Sequence, residues 1–175
     1  MVVARVVDSM KAIVYHRYGS PDVLQYVDIE KPTVGDDQVL IRVRAASVNP
    51  LDWHNMRGNP YIARIPGGLR MPRFRLGGDV AGQVEAVGKN VTRFKPGDEV
   101  FGTCRGAFAE YARTSESALV IKPDNVTYEQ AAAVPIAAFT ALQGLRDKGR
   151  VQPGQKVLTN GAAGGVGTFA VQIAK

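Results

Sequence analysis

The segment NGAAGGVG, Asn160 to Gly167, combines residue types and spacing that carry explicit chemistry. A phosphate reaches the start of a helix only where backbone N–H groups point at it and no side chain intervenes. Gly161, Ala162, Ala163, Gly164, Gly165 and Gly167, with Val166 among them, supply such a turn. It lies between an apolar run, KVLTN (156–160), and a helix-like run, TFAVQIAK (168–175). Gly164 and Gly167 keep the spacing of the last two glycines of the dinucleotide fingerprint, and Ala162 takes the place of the first. A strand, a tight turn and a helix that together seat a diphosphate are therefore expected here.

Other reactive side chains are few. Cys104 is the only cysteine, so an internal disulfide and an all-cysteine metal cluster are excluded within one chain. No base is placed beside it by the sequence, and a structural role is expected rather than a nucleophilic one. Of the two histidines, His16 reads as surface. His54 reads as a helix or turn residue beside a cleft, with proton donation to a substrate as the alternative.

The formal charge is +6, and five arginines (Arg57, Arg64, Arg70, Arg73 and Arg75) fall between Trp53 and Gly78 with no acid among them. The segment is either a solvated basic loop or a positive rim beside an anionic cofactor. No DNA- or RNA-binding motif accompanies it, and nucleic acid is not expected as a partner. With 45% hydrophobic and 22% charged residues, the composition is that of a soluble globular protein. No apolar run approaches the roughly 20 residues of a membrane span, and no membrane partner is expected. MVVARVVDSM lacks a signal-peptide core, and Met10 reads as the more natural start, leaving residues 1–9 as an extension.

The elements that would position these residues follow from periodicity. KAIVY (11–15), VLQYVDI (23–29), QVLIRVRAASV (38–48), DVAGQVEAVG (79–88) and AFAEYARTS (107–115) read as strands, and KPGDEV (95–100) as a turn feeding another. In the third, Val39, Ile41 and Val43 are expected on the buried face, with Leu40, Arg42 and Arg44 opposite. Gly82 marks a bulge or a close backbone approach. Short strands at close spacing predict an antiparallel barrel or sandwich. Beyond Pro123 the texture turns helical: Thr127 and Gln130 have capping-box spacing, Pro135 interrupts the run, and a second helix is expected over 137–147.

The stretches MKAIVYHRYGSPDVL, VLIRVRAASVNPLDWHNMRG, LGGDVAGQVEAVGKNVTRFKPGDEVFG, GAFAEYA, AAAVPIAAFTALQGL and VLTNGAAGGVG occur in one order over nearly the whole chain. In these the sequence resembles the medium-chain dehydrogenase/reductase superfamily, on its zinc-independent quinone oxidoreductase (zeta-crystallin-like) side. The resemblance implies a mixed α and β fold, with a GroES-like β-barrel catalytic domain followed by the first strand–turn–helix of a Rossmann domain. The expected boundaries are an extension over 1–9, the N-terminal part of the catalytic domain over 10–123, a helical link over 124–155 and an incomplete nucleotide domain over 156–175. Only about half of what the family requires is present, so the ending is expected to be a truncation.

The resemblance also implies a chemistry. Zinc-dependent relatives place a catalytic cysteine where this chain has Asn49 and a histidine where it has Gly78, so no metal is expected. The implied reaction is hydride transfer from NADPH, with NADH as the alternative, to a quinone or an activated enone or carbonyl. Asn49 is the implied donor to the acceptor carbonyl or orienter of the nicotinamide, Asp52 orders the loop, and Tyr61 contributes a phenol. Thr140 matches a threonine near the nicotinamide end, or else is a helix hydroxyl bonded to the preceding turn. A cytoplasmic enzyme, homodimeric at full length, is implied, with the 175-residue chain inactive alone. Half of a zinc alcohol dehydrogenase, and a non-catalytic fragment that binds or self-associates through apolar surface at 156–175, are the alternatives.

Overall fold

In a computed structural model of the chain, residues 8–72 and 75–175 are described. The expected N-terminal extension falls outside them except for Asp8 and Ser9, as does Arg73 of the basic segment. Strand β1 (Ser9–Val14) pairs antiparallel with β2 (Gln25–Glu30), the 3₁₀ turn Pro21–Val23 lying between them. A strand therefore begins at Ser9, one residue before Met10.

Strand β3 (Gln38–Ala45) leads into helix α1 (Pro50–Arg57) and the short helix α2 (Arg64–Gly67). Strands β4 (Asp79–Val87), β5 (Glu99–Thr103), β6 (Tyr111–Ser115) and β7 (Leu119–Ile121) follow. They join β3 in one antiparallel sheet of order β6-β3-β4-β5-β7. An Ala12–Ala109 bridge ties the β1–β2 ribbon to the segment before β6. Val39, Ile41, Val80, Val84, Phe94, Val100, Ala107 and Leu119 form the main core.

Two details depart from simple alternation. Leu40, expected on the polar face, is buried between Val39 and Ile41. The β3–β4 register shifts at Leu40/Ile41, and such an irregularity breaks the two-residue period. A second shift, at Val43/Ala45, faces Gly82, where a Cβ would run into the Arg42 carbonyl oxygen. The glycine expected to mark a close approach does so, because strand β3 bulges onto it.

After β7 the chain is helical. Helix α3 (Tyr128–Ala132) opens with the expected capping box: Gln130 N donates to Thr127 Oγ1 (3.2 Å), and Thr127 N donates to Gln130 Oε1 (3.0 Å). Pro135 does not kink a continuing helix; it starts a new one, α4 (Pro135–Leu142), where its missing N–H is of no consequence. A π-helical turn, Gln143–Lys148, extends α4. Helix α5 (Gly165–Ala174) packs on α4.

The expected strand at 156–160 does not form. Those residues are irregular, and among the described residues no strand pairs with them. Backbone groups of a buried parallel strand need neighbours on both sides. Without any, Leu158 is 96% exposed, and Val166, Val171 and Ile173 of α5 are exposed as well.

The bulge yields a test. Gly82→Ala forces a methyl group onto a backbone oxygen in the sheet's centre, and a loss of about 2 kcal/mol is expected. Urea unfolding followed by circular dichroism measures it; an unchanged midpoint would show that the strands do not approach this closely.

Candidate functional site

Asp79, the first residue of β4, is fully buried. A carboxylate removed from water must find donors within the protein. Three reach it. Ser47 Oγ donates to Oδ2 at 2.6 Å, Asn49 Nδ2 donates to the same oxygen at 2.9 Å, and the Ile136 amide donates to Oδ1 at 3.0 Å. The first two come from the segment joining β3 to α1, the third from the first turn of α4. The positive end of the α4 dipole also favours negative charge there. One side chain thus fastens sheet, loop and helix together.

Asn49 also donates to Ser47 Oγ at 3.0 Å. The two acceptors stand 2.6 Å apart on one side of the amide nitrogen, and because a carboxylate only accepts, the NH₂ group must face Asp79. One N–H of Asn49 is thus committed to Ser47 and the buried Asp79, and the other diverges from them.

Asp52 is buried at the start of α1. Its Oδ2 accepts from Asn49 N (2.8 Å) and its Oδ1 from Gly77 N (2.8 Å). It holds the α1 entry against the segment that leads to β4, a loop-ordering arrangement.

These elements border a cleft of about 390 Å³ lined by Asp52, Asn55, Gly78, Thr103, Cys104 and Ile136, among others. Burial, with Asp79 and Asp52 adding to it, pushes the Cys104 thiol up to about 12, whereas the Ala107 amide draws it down. Thr103 and Ile136 also line a separate apolar groove of about 600 Å³ between β5, β7 and α4, where Phe139, Thr140 and Ile173 lie.

The remaining candidates lie elsewhere. Tyr61 is 76% exposed, stacks on Arg64 (4.3 Å) and borders a different depression with Arg57 and Arg64. It is not brought to Asn49 and Asp52, because Arg64 holds it against Tyr18 and the Gly58 carbonyl. His54 gives its Nδ1–H to the Asn59 carbonyl (2.6 Å) and packs edge-on against Trp53, so it ties off the end of α1. Thr140 Oγ1 donates to the Ile136 carbonyl (2.7 Å) while lining the groove.

The glycine turn forms as a compact corner. Gly164 N donates to the Gly161 carbonyl (3.0 Å), Gly164 caps α5, and a Cβ at Gly165 would stand 3.9 Å from Ala137 Cβ of α4. A Cβ at Gly167 would strike the Gly161 carbonyl oxygen and lie 2.7 Å from Ala162 Cα. The first amides of α5 have no partner within the helix and remain for an anion. This cradle fits a diphosphate. Among the described residues no group of three or more His, Cys, Asp or Glu side chains is placed to hold a metal ion.

Asp79 is what sequence reasoning passed over. Its one visible signal is an acid beginning an apolar strand, after two glycines, in LGGDVAG. Asp79→Ala orphans buried donors on three elements, and a loss of about 3 kcal/mol or more is expected by chemical denaturation. A change within error would remove Asp79 from the framework. The raised Cys104 thiol supplies a pH test. Thiolate is the reactive form, so alkylation by iodoacetamide at pH 8 should run about a thousand-fold slower than for a free cysteine and accelerate towards pH 12. Rapid labelling near neutral pH would contradict the burial.

The alcohol dehydrogenase GroES-like domain family matches residues 35–124. Human quinone oxidoreductase is 40% identical over 169 residues, covering 95% of this chain and 50% of that protein. The CurK enoyl reductase structure superposes with a TM-score of 0.88 at 33% identity, covering 95% of this chain and 51% of that one. A mycobacterial protein solved in complex with NADPH superposes with a TM-score of 0.81 at 35% identity, covering 93% and 49%. The chain spans about half the length of the curated relatives it matches. It belongs to the alcohol dehydrogenase GroES-like domain family, on the quinone oxidoreductase side of the medium-chain dehydrogenase/reductase superfamily.

Proposed function

We propose that the protein to which this chain belongs transfers hydride from NADPH to a quinone or an activated enone or carbonyl, without zinc. The corner at Gly161–Gly167 carries this reading: it sets the first, unpartnered amides of α5 behind a tight turn whose own backbone a side chain at Gly167 would strike. The turn rests on α4, and α4 is fixed by Asp79 beside the cleft. The cofactor, when bound, supplies the hydride.

The chain's own residues have the following parts. Gly161, Ala162, Ala163, Gly164, Gly165, Val166 and Gly167 hold the diphosphate through backbone amides. Thr140 and the α4 surface lie along the groove, and the second amide N–H of Asn49 donates to the acceptor carbonyl or orients the nicotinamide. The cleft beside Gly78 and Cys104 receives the acceptor. Zinc independence is supported by Asn49 and Gly78 at the positions of missing ligands and by the raised thiol of the half-buried Cys104. NADPH as the coenzyme is supported by the mycobacterial neighbour's complex, and an enone acceptor by the likeness to an enoyl reductase. A cytosolic homodimer, with domains at 10–123, 124–155 and 156–175, completes the reading. No helix among the described residues is long and apolar enough to cross a membrane.

A second reading is favoured by the unpaired segment 156–160 and the exposed Leu158, Val171 and Ile173. By itself the 175-residue chain self-associates through this surface and does not turn over.

The test is NADPH oxidation in the presence of a quinone by an enzyme carrying this chain within a complete nucleotide-binding domain. Activity that survives a zinc chelator is expected. Gly167→Val should weaken NADPH binding by about tenfold or more, because a side chain displaces the turn from the phosphate. No affinity for either nicotinamide coenzyme would overturn the proposal.

A further inference from the structure

We propose that the depression between the β1–β2 connection and the end of α1 binds a phosphate group, free or as a monoester, and that Arg57 and Arg64 hold it. This site goes beyond the hydride-transfer reading and does not depend on it.

The depression measures about 330 Å³, and Ser20, Arg57, Gly58, Asn59, Tyr61 and Arg64 line it. It shares no lining residue with the cleft or with the groove along α4. Two of its lining side chains carry positive charge and none carries negative charge.

Arg64 is held in place by its surroundings. Its guanidinium lies over the rings of Tyr18 (4.5 Å) and Tyr61 (4.3 Å), and its Nε donates to the Gly58 carbonyl (2.9 Å). Tyr18 is itself anchored, because its hydroxyl donates to the Gly68 carbonyl. Gly58 keeps the place open. A Cβ there would stand 2.5 Å from Arg64 Nε and 2.7 Å from Tyr18 Cδ1, and the φ of 58° is one that glycine adopts freely. Little rotamer freedom is left for a ligand to remove. Arg57 lies over the Trp53 ring (5.0 Å). Among the described residues no carboxylate forms an ion pair with either arginine, and the Nη groups of Arg64 have no acceptor. Stacking on a ring leaves those in-plane N–H groups available.

Groups that would repel an anion are already engaged. The end of a helix is its negative pole. Here the His54 carbonyl accepts from the Gly58 amide (2.8 Å), the Met56 carbonyl from the Gly19 amide (3.1 Å), and the Gly58 carbonyl from Arg64. Asp22 accepts from Ser20 Oγ (2.8 Å) and does not line the depression. The Asn59 amide and the Tyr61 phenol add two further donors. Two guanidinium charges match a phosphate, which is nearly doubly charged and offers several acceptor oxygens, better than they match a singly charged carboxylate.

Calorimetric titration tests the site in the enzyme carrying this chain within a complete nucleotide-binding domain, with inorganic phosphate, phenyl phosphate and acetate as probes. At least one phosphate should bind with a Kd of about 1 mM or below, about tenfold or more tighter than acetate. Tighter binding of phenyl phosphate assigns the site to monoesters, and tighter binding of inorganic phosphate assigns it to the free ion. Arg57→Gln with Arg64→Gln should weaken phosphate binding by about tenfold or more, and Arg57→Lys with Arg64→Lys should restore part of it. Arg57→Gln alone leaves the Arg64 packing untouched and should weaken binding by about threefold. Thermal unfolding of each variant checks that the fold is intact. Saturating NADPH should leave the phosphate affinity unchanged; its loss on adding NADPH would overturn the separate site and place the anion at the coenzyme. Phosphate that binds no tighter than acetate, or equally well to the folded glutamine variants, would overturn the proposal while leaving the hydride-transfer reading in place.

Discussion

A carboxylate buried at the first residue of a strand has to be satisfied from elsewhere in the chain. Asp79 is satisfied by Ser47, Asn49 and Ile136, which are distant from it in sequence. The β3–α1 segment, the start of β4 and the start of α4 are held at one point. Asp52 repeats the device one layer away, tying α1 to the backbone at Gly77. The cleft lies between these two fastenings, with Gly78 and Cys104 in its wall. Because α4 also supports the glycine turn through Ala137, the same fastening relates the phosphate cradle to the cleft. A site that aligns two ligands requires such a rigid frame, since small displacements are costly.

Much of this was legible wherever the signal is local. The capping box at Thr127 and Gln130 requires only spacing and residue type, and it formed. Gly82 announced a close approach because glycine inside a strand pattern has few other reasons to be there. The turn at Gly161–Gly167 was legible for a like reason: a Cβ at Gly167 would strike the Gly161 carbonyl oxygen, and Gly161 takes a positive φ.

What was not legible depended on partners distant in sequence. Asn49 was legible through the resemblance as a polar candidate, but its fastening to Asp79 was not, because the partner stands 30 residues away in sequence. Tyr61 looked available for chemistry until Arg64 was seen to hold it. The strand at 156–160 had the right composition, yet composition does not supply the neighbouring strands it must pair with. Leu40 was misplaced because a register shift is a property of two strands together, not of one. The five arginines were countable, but only aromatic contacts separate Arg57 and Arg64 from the one that lines the cleft.

The fastening at Asp79 can be observed directly. The Ile136 N–H lies in the first turn of α4, where no helical acceptor exists, so its protection from hydrogen exchange depends on Asp79 Oδ1. Native-state exchange by NMR should show this amide protected in the wild-type chain, and Asp79→Asn should accelerate it by about tenfold or more while the amides of β4 remain slow. An Ile136 amide that exchanges as fast as an exposed turn in the wild-type chain would contradict the account.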